Sequence, residues 1–275
     1  MKKKFYLSSY IVASLWSLLI LGLIGWAFFS SFKDNVGIFN EPWALPSEPT
    51  VINYVSAWVG SRMGDYFLNS TIVVISSLVV LLLIAAMSAY ALTRYHFKFR
   101  KPLLAVYVFG MSIPGLLLII PIYSQLVTLN LVNNLQGLSL VYIAMWFSFS
   151  VFVLTGFFKT IPMEIEESAI IDGSGETRLF FQIMIPLVQP GLICVAVLNF
   201  VNMWNEFMLA LIYMTSPRNR TISLGMYALR DTMMYTSNWG GLFAAIIIML
   251  VPSMIIFLTL QRYIIKGLTL GAVKG

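Results

Sequence analysis

The chain has 275 residues, of which 59% are hydrophobic, 15% aromatic and only 10% charged, and its mean hydropathy is +0.87. Soluble globular chains carry about 25% charged residues, so the composition excludes a soluble protein and predicts one membrane-embedded domain over residues 1–275. The net charge of +6 does not imply nucleic acid, because the basic residues flank apolar runs. The single cysteine, Cys194, excludes an intrachain disulfide and a tetrahedral cysteine zinc site.

Lys2, Lys3 and Lys4 precede an apolar run at 10–32. A cleaved leader begins the same way, but a run longer than about 20 residues without a small-x-small exit predicts an uncleaved first span. Residues 33–66 form a polar, proline-bearing connection in which Trp43, Tyr54 and Trp58 have the character of a membrane–water boundary. A second span is predicted at 67–92, followed at 93–102 by a short turn with Arg94, Lys98, Arg100 and Lys101. The third span, 103–127, carries Pro114, Gly115 and Pro121. Prolines free backbone carbonyls that neighbouring helices or water must satisfy, which makes either a hinge or a packed bend. An uncharged turn at 128–138 leads to a fourth span at 139–158. A fifth span is predicted at 187–214, a polar connection at 215–241, a sixth span at 242–264 and a short, glycine-rich, basic tail at 265–275.

Between the fourth and fifth spans lies a polar loop, 159–186. It holds Glu164, Glu166, Glu167, Asp172 and Glu176, five of the 11 acidic residues. Its local chemistry predicts two short helices with a bend. Pro162 suits a first helical position, where a missing donor costs nothing. Glu164, Glu166 and Glu167 lie in or near the first turn, where carboxylates complement the helix dipole. Gly173 is the natural stop, Ser174 a cap for the second helix with Glu176 in its first turn, and Pro186 its end. Leu179, Phe180, Ile183 and Met184 fall on one face of that second helix. The first helix thus offers charge to water or to a partner, and the second lays an apolar stripe against the membrane-embedded body. A merely solvated acidic loop has the same composition.

Six spans put both ends of the chain on one side. Lys2, Lys3, Lys4, Arg94, Lys98, Arg100, Lys101, Lys159, Arg178, Arg262, Lys266 and Lys274 gather there, against Lys33, Arg62, Arg218, Arg220 and Arg230 on the other. The lysine and arginine bias predicts that both termini and the acidic loop are cytoplasmic.

One carboxylate falls deep within a predicted span: Glu206, in Asn-Phe-Val-Asn-Met-Trp-Asn-Glu-Phe at 199–207. Such a group against lipid costs about 2.5–3.5 kcal/mol on insertion scales, so it faces a partner helix or a water-filled cavity. Asn199, Asn202 and Glu206 lie at i, i+3 and i+7, on one face of a helix. They form either an interhelical lock or the lining of a pathway. Tyr123, Tyr142 and Trp146 are either sugar-stacking platforms or boundary aromatics.

The order Glu167-Ser168-Ala169, three residues, Gly173, nine residues, Ile183, one residue, Ile185-Pro186 resembles the cytoplasmic signature loop of binding-protein-dependent ABC importer permeases. That loop reads E-A-A, three residues, G, nine residues, I, one residue, L-P; Ser168 and Ile185 depart from it conservatively. Tyr90-Ala91-Leu92-Thr93-Arg94 with Phe97, Ile161-Pro162, Gln261-Arg262-Tyr263 and the closing run from Gly267 to Gly275 are similar to the maltose-type, carbohydrate branch, as is Trp204-Asn205-Glu206-Phe207. The likeness covers the second span to the last residue and is nearest to the second permease subunit of carbohydrate importers.

The resemblance implies an all-α integral membrane protein of the type I ABC importer permease fold, with about six transmembrane helices and a cytoplasmic coupling-helix loop, in a bacterial cytoplasmic membrane. It implies half of a sugar translocation pathway, shared with a second permease subunit. An extracytoplasmic sugar-binding protein delivers the solute, and two copies of a cytoplasmic ATPase drive the cycle. The coupling role falls on Glu164, Glu167, Ser168, Ala169, Asp172, Gly173 and Pro186, with Glu167 at the ATPase contact and Gly173 permitting the turn. The closing tail either touches the ATPase or frays. The pathway role falls on Asn199, Asn202, Trp204, Asn205 and Glu206. Partners are these subunits and membrane lipid, with no nucleic acid.

No G-x-x-x-x-G-K-[ST] phosphate loop occurs, so ATP and magnesium belong to the partner ATPase and no cofactor or metal is expected here. His96 is the only histidine and no H-E-x-x-H exists, which excludes zinc proteolysis, and no catalytic residue is assigned. The alternatives are an ion-coupled secondary transporter, which needs ionisable groups in several spans, and an importer of a non-sugar solute such as a glycerophosphodiester.

Overall fold

The computed structural model describes the backbone of residues 2–272 and the side chains of residues 9–232 and 237–263. Lys2, Lys3, Lys4, Lys266 and Lys274 therefore contribute no described side chain, and the end of the tail, 273–275, lies outside the described residues. Among those described, no residue is in a strand. The helices are α1 (Lys2–Ser30), α2 (Asn35–Asn40), α3 (Ile52–Val55), α4 (Met63–Arg94), α5 (Arg100–Ser112), α6 (Ile119–Thr128), α7 (Leu135–Phe158), α8 (Met163–Ile171), α9 (Glu176–Arg178), α10 (Ile185–Trp204), α11 (Met208–Tyr213), α12 (Ile222–Thr236) and α13 (Trp239–Ala272). Five stretches are long and apolar enough to cross a membrane: Ser9–Ser30, Met63–Arg94, Leu135–Phe158, Glu176–Trp204 and Trp239–Tyr263. A sixth exists if the bent pair Arg100–Ser112 and Gly115–Thr128 counts as one span.

That third stretch, expected at 103–127 with a proline kink, turns by 96°. The cause is local. Pro114 lacks an amide donor and forces the residue before it out of helical geometry. Ile113 is accordingly extended at φ −78°, ψ 119°, and a short 3-10 turn at Gly115–Leu118 starts the second limb.

The fifth span is also shifted from its expected bounds of 187–214. Pro186 does not end a helix. A π-helical turn at Leu179–Met184 interrupts the i→i−4 ladder, and Pro186 then stands in the first turn of α10, where a missing donor is harmless. Helix therefore runs from Glu176 to Trp204 and breaks before α11. In the connection read as polar, 215–241, the chain forms α12, whose first amide, Ile222 N, donates to Ser70 Oγ at 2.8 Å. Helix α13 continues beyond the predicted span to Ala272, and the side chains of the closing run, read as either touching the ATPase or fraying, lie outside the described residues.

The chain resolves into two compact units. One comprises 1–67 with 224–252. Here Trp26 packs edge-on against Phe243 at 5.0 Å, and Asn53 Nδ2 donates to the carbonyls of Ser31 and Lys33 at 2.9 and 2.8 Å. Gly225 lies so close to Tyr66 that a Cβ there would sit 2.0 Å from the ring. An 18-residue apolar window of α1 is 0% buried, whereas its last turns, with Trp26 and the buried Ser30, pack within this unit.

The other unit, 68–223 with 253–275, carries both stretches of interest. Its core joins Ala85, Ala86 and Ala89 of α4 to Val151, Leu154 and Phe158 of α7 and to Met184, Val188 and Val195. Small residues on α4 let neighbouring backbones approach, the usual basis of packing where lipid supplies no hydrophobic drive. Helices α7 and α10 meet closely at Gly191, where a Cβ would fall 2.5 Å from the Phe157 ring.

Candidate functional site

The acidic loop folds as two helical pieces around a tight stop. Pro162 is the cap residue of α8, one place earlier than expected, and Glu164 and Glu166 occupy its first turn. Gly173 adopts φ +81°, a conformation open to glycine at little cost. Its amide bonds Ile170 O at 3.0 Å while Ser174 N bonds Ala169 O at 2.9 Å, the paired closure of a Schellman motif. Ser174 is thus consumed in ending α8, and it does not cap the next helix. That cap is Gly175, with no side-chain bond.

Helix α8 has two unlike faces. Glu164, Glu167, Ser168 and Asp172 are exposed, and so are Ile170 at 59% and Ile171 at 85%. Glu164, Glu167 and Ile171 fall at i, i+3 and i+7, on one side. Glu166 and Ala169, also three apart, form the opposite side and are buried. Leu179, Phe180 and Met184 are buried in the core and Ile183 packs against it, as the apolar stripe predicted.

Glu166 does not present charge to a partner, as its grouping with the outward acids implied. Its carboxylate forms an ion pair with Arg94, the last residue of α4, and both side chains are nearly enclosed, at 11% and 8% exposure. Arg94 Nη2 also donates to Ile161 O at 2.8 Å, and Tyr90 OH donates to Glu166 Oε2 at 3.2 Å. Tyr90 rests between Phe158 and Phe180, with ring centroids at 5.7 and 5.2 Å. Just beyond the span, burial and then the Glu176 carboxylate hold the Tyr95 phenol above its usual value. The i, i+3 pairing of Glu166 with Ala169 was the one sequence signal for this inner face.

The polar string at 199–207 is arranged differently from the continuous helical face expected. Helix α10 ends at Trp204, and Glu206 lies in the break before α11. Its carboxylate accepts from Leu209 N at 2.7 Å, Ala210 N at 3.1 Å and Tyr142 OH at 2.9 Å, so it starts α11 and ties it to α7. Asn199 is fully buried, donating to Ser150 Oγ of α7 at 2.8 Å. Trp204 is 2% exposed, stacked on Phe200 at 5.5 Å. Asn202 and Asn205 are exposed, with Asn205 Nδ2 turned back to Val201 O at 2.8 Å. Tyr142 is wholly buried and lies edge-on to Trp146 at 5.2 Å, so its ring is not free to stack on a solute. Tyr123 is partly exposed and stacks on Tyr213 at 6.4 Å. Among the described residues, no group of three His, Cys, Asp or Glu could hold a metal ion.

Residues 81–270 match the family of binding-protein-dependent transport system inner membrane components. The chain is 36% identical over 272 residues to the diacetylchitobiose uptake system permease protein NgcG of Streptomyces coelicolor, covering 99% of this chain and 90% of that one. It is 32% identical over 270 residues to the sulfoquinovosyl glycerol transport system permease protein SmoH of Agrobacterium fabrum, covering 97% and 93%. Its fold is that of a chain in the crystal structure of a bacterial ABC transporter involved in the import of the acidic polysaccharide alginate, at TM-score 0.82 and 18% identity, covering 95% and 96%. A multi-pass helical body, an ordered acidic loop between spans and a family match over most of the length lead to one conclusion: the chain belongs to the binding-protein-dependent transport system inner membrane components, as a membrane transport subunit and not an enzyme.

Proposed function

We propose that this subunit carries a carbohydrate across a bacterial cytoplasmic membrane, sharing the pathway with a second permease and driven by two copies of a cytoplasmic ATPase, one of which docks on the outer face of α8. The observation that carries the reading is the division of α8. Glu166 and Ala169 are fixed to this chain's own body, while Glu164, Glu167, Ile170 and Ile171 are uncovered. A helix held on one side and open on the other suits a partner's groove. An apolar tip flanked by carboxylates calls for an apolar socket with basic residues at its edge. The lysine and arginine bias supports placing this loop and both termini in the cytoplasm. ATP and magnesium then reside on the ATPase.

The relatives, which handle diacetylchitobiose and sulfoquinovosyl glycerol by name, support a glycan or glycoside as solute. In this reading Asn202 and Asn205 are the members of the polar string open to a pathway. Asn199 and Trp204 support them from within the bundle, and Glu206 holds the break in the helix. Commitment of Glu206 to three donors counts against its use as the mobile ion site of a secondary transporter.

The test is uptake by the complete complex in proteoliposomes, with enclosed ATP, external binding protein and labelled chito-oligosaccharide or glycoside. Uptake requires ATP and binding protein and ignores an imposed proton or sodium gradient. Glu167→Lys leaves the permease pair intact and strips it of the ATPase. Gradient-driven uptake without ATP, or full ATPase retention by Glu167→Lys, would overturn the reading.

A further inference from the structure

We infer that Arg94 and Glu166 form a buried pin that makes α8 and the inner end of α4 move as one piece, so that these two positioning residues set how much transport each ATP yields. The inference rests on the docking role proposed for α8. Its physical basis is the number and direction of attachments. The Arg94 guanidinium grips the loop at two points, the Glu166 carboxylate and the Ile161 carbonyl, which bracket the start of α8. One turn back on α4, the Tyr90 hydroxyl takes the other carboxylate oxygen, and its ring is wedged between Phe158 and Phe180. Helix α8 therefore cannot tilt or slide without drawing residues 90–94 after it.

Packing alone could hold α8 in place, and buried ion pairs add little net stability over apolar side chains of similar size. A charged, three-donor clamp supplies directional resistance that interchangeable apolar contacts lack. The four remaining acids of the loop are exposed, so Glu166 alone turns inward to meet Arg94. The pin lies on the opposite side of α8 from the docking face, and this separates its disruption from loss of the ATPase.

The experiment uses the complete importer in proteoliposomes, with uptake and ATP hydrolysis measured on the same vesicles. The variants are Arg94→Met, Glu166→Gln, Arg94→Lys and the exchange Arg94→Glu with Glu166→Arg. The ATPase stays bound and hydrolysis persists in Arg94→Met and Glu166→Gln, while uptake per ATP falls at least about fivefold. Arg94→Lys and the exchange recover part of that ratio. An unchanged ratio, or a parallel fall of uptake and hydrolysis, overturns the pin, because a merely structural role lowers both together. Should Arg94→Met fail to assemble, Tyr90→Phe removes one donor and keeps the ring; a lowered ratio supports the pin and an unchanged one overturns it. Retention of the ATPase by Glu167→Lys overturns the docking role itself, whereas its loss beside an unchanged ratio in the pin variants overturns only the pin.

Discussion

Glu206→Leu separates a structural carboxylate from a solute-binding one. The side chain satisfies two amides of α11 and the hydroxyl of Tyr142. Losing the amide bonds is equivalent to removing a helix cap, about 1 kcal/mol. The Tyr142 hydroxyl, on a fully buried residue, is left without an acceptor at a further cost of about 1–3 kcal/mol. Glu206→Leu therefore destabilises the subunit by about 2–4 kcal/mol. Glu206→Gln, which keeps a carbonyl acceptor, costs about half as much. Tyr142→Phe removes the orphan, so the double variant Glu206→Leu with Tyr142→Phe is less damaged than the sum of the singles by about 1 kcal/mol. Reversible unfolding in mixed micelles measures these differences, and uptake normalised to folded protein measures function. A Glu206→Leu protein within about 0.5 kcal/mol of the parent but devoid of uptake would refute this reasoning and return Glu206 to the pathway.

Asn199→Leu tests the neighbouring position. Ser150 keeps its bond to Trp146 O at 2.8 Å, so the change stays within about 1 kcal/mol and leaves uptake intact; abolished uptake would place Asn199 at the solute. Gly173→Ala meets no atom within 4 Å, so its cost is the left-handed backbone alone, about 1 kcal/mol. Faster amide exchange confined to 163–178 reports it. Gly191→Val forces the Phe157 ring away and costs about 1–3 kcal/mol. Because the clash includes Phe157 Cβ at 2.9 Å, no rotation of the ring relieves it, and thermal unfolding records the loss.

Hydropathy made α4, α7 and the membrane portion of α13 legible, since each is an uninterrupted apolar run whose predicted bounds lie within a few residues of the observed helix. Hydropathy has no direction, and it did not show that Pro114 turns the third run by 96°. Helix α12 was missed because Arg230, Asp231 and Thr232 give it the polarity of a connection. In the loop, Gly173 announced its role through glycine's backbone freedom. That Ser174 closes α8 instead of capping α9 depended on hydrogen bonds that only the closed turn defines. The inner face of α8 was hardest to read. Arg94 and Ile161 are 67 positions apart, and a basic residue at a span end or an acid in an acidic run looks solvated until tertiary contacts pair them. The string at 199–207 was read as one helical face because nothing in its composition forecasts a stop after Trp204. Asn205 and Glu206 create that stop by bonding backbone themselves.

The widened turn at Leu179–Met184 has a consequence for how this chain tolerates changes of length. A π turn contains one residue more than regular helix needs, so a single deletion inside it can be absorbed by reverting to ordinary winding. The same deletion a few positions later, within α10, rotates every downstream residue by about 100°. Cys194, Val195 and Asn199 would then swing out of the interior, and their outward neighbours would swing in. A deletion scan should therefore find one forgiving window ahead of Ile185, followed by an abrupt loss of folded protein.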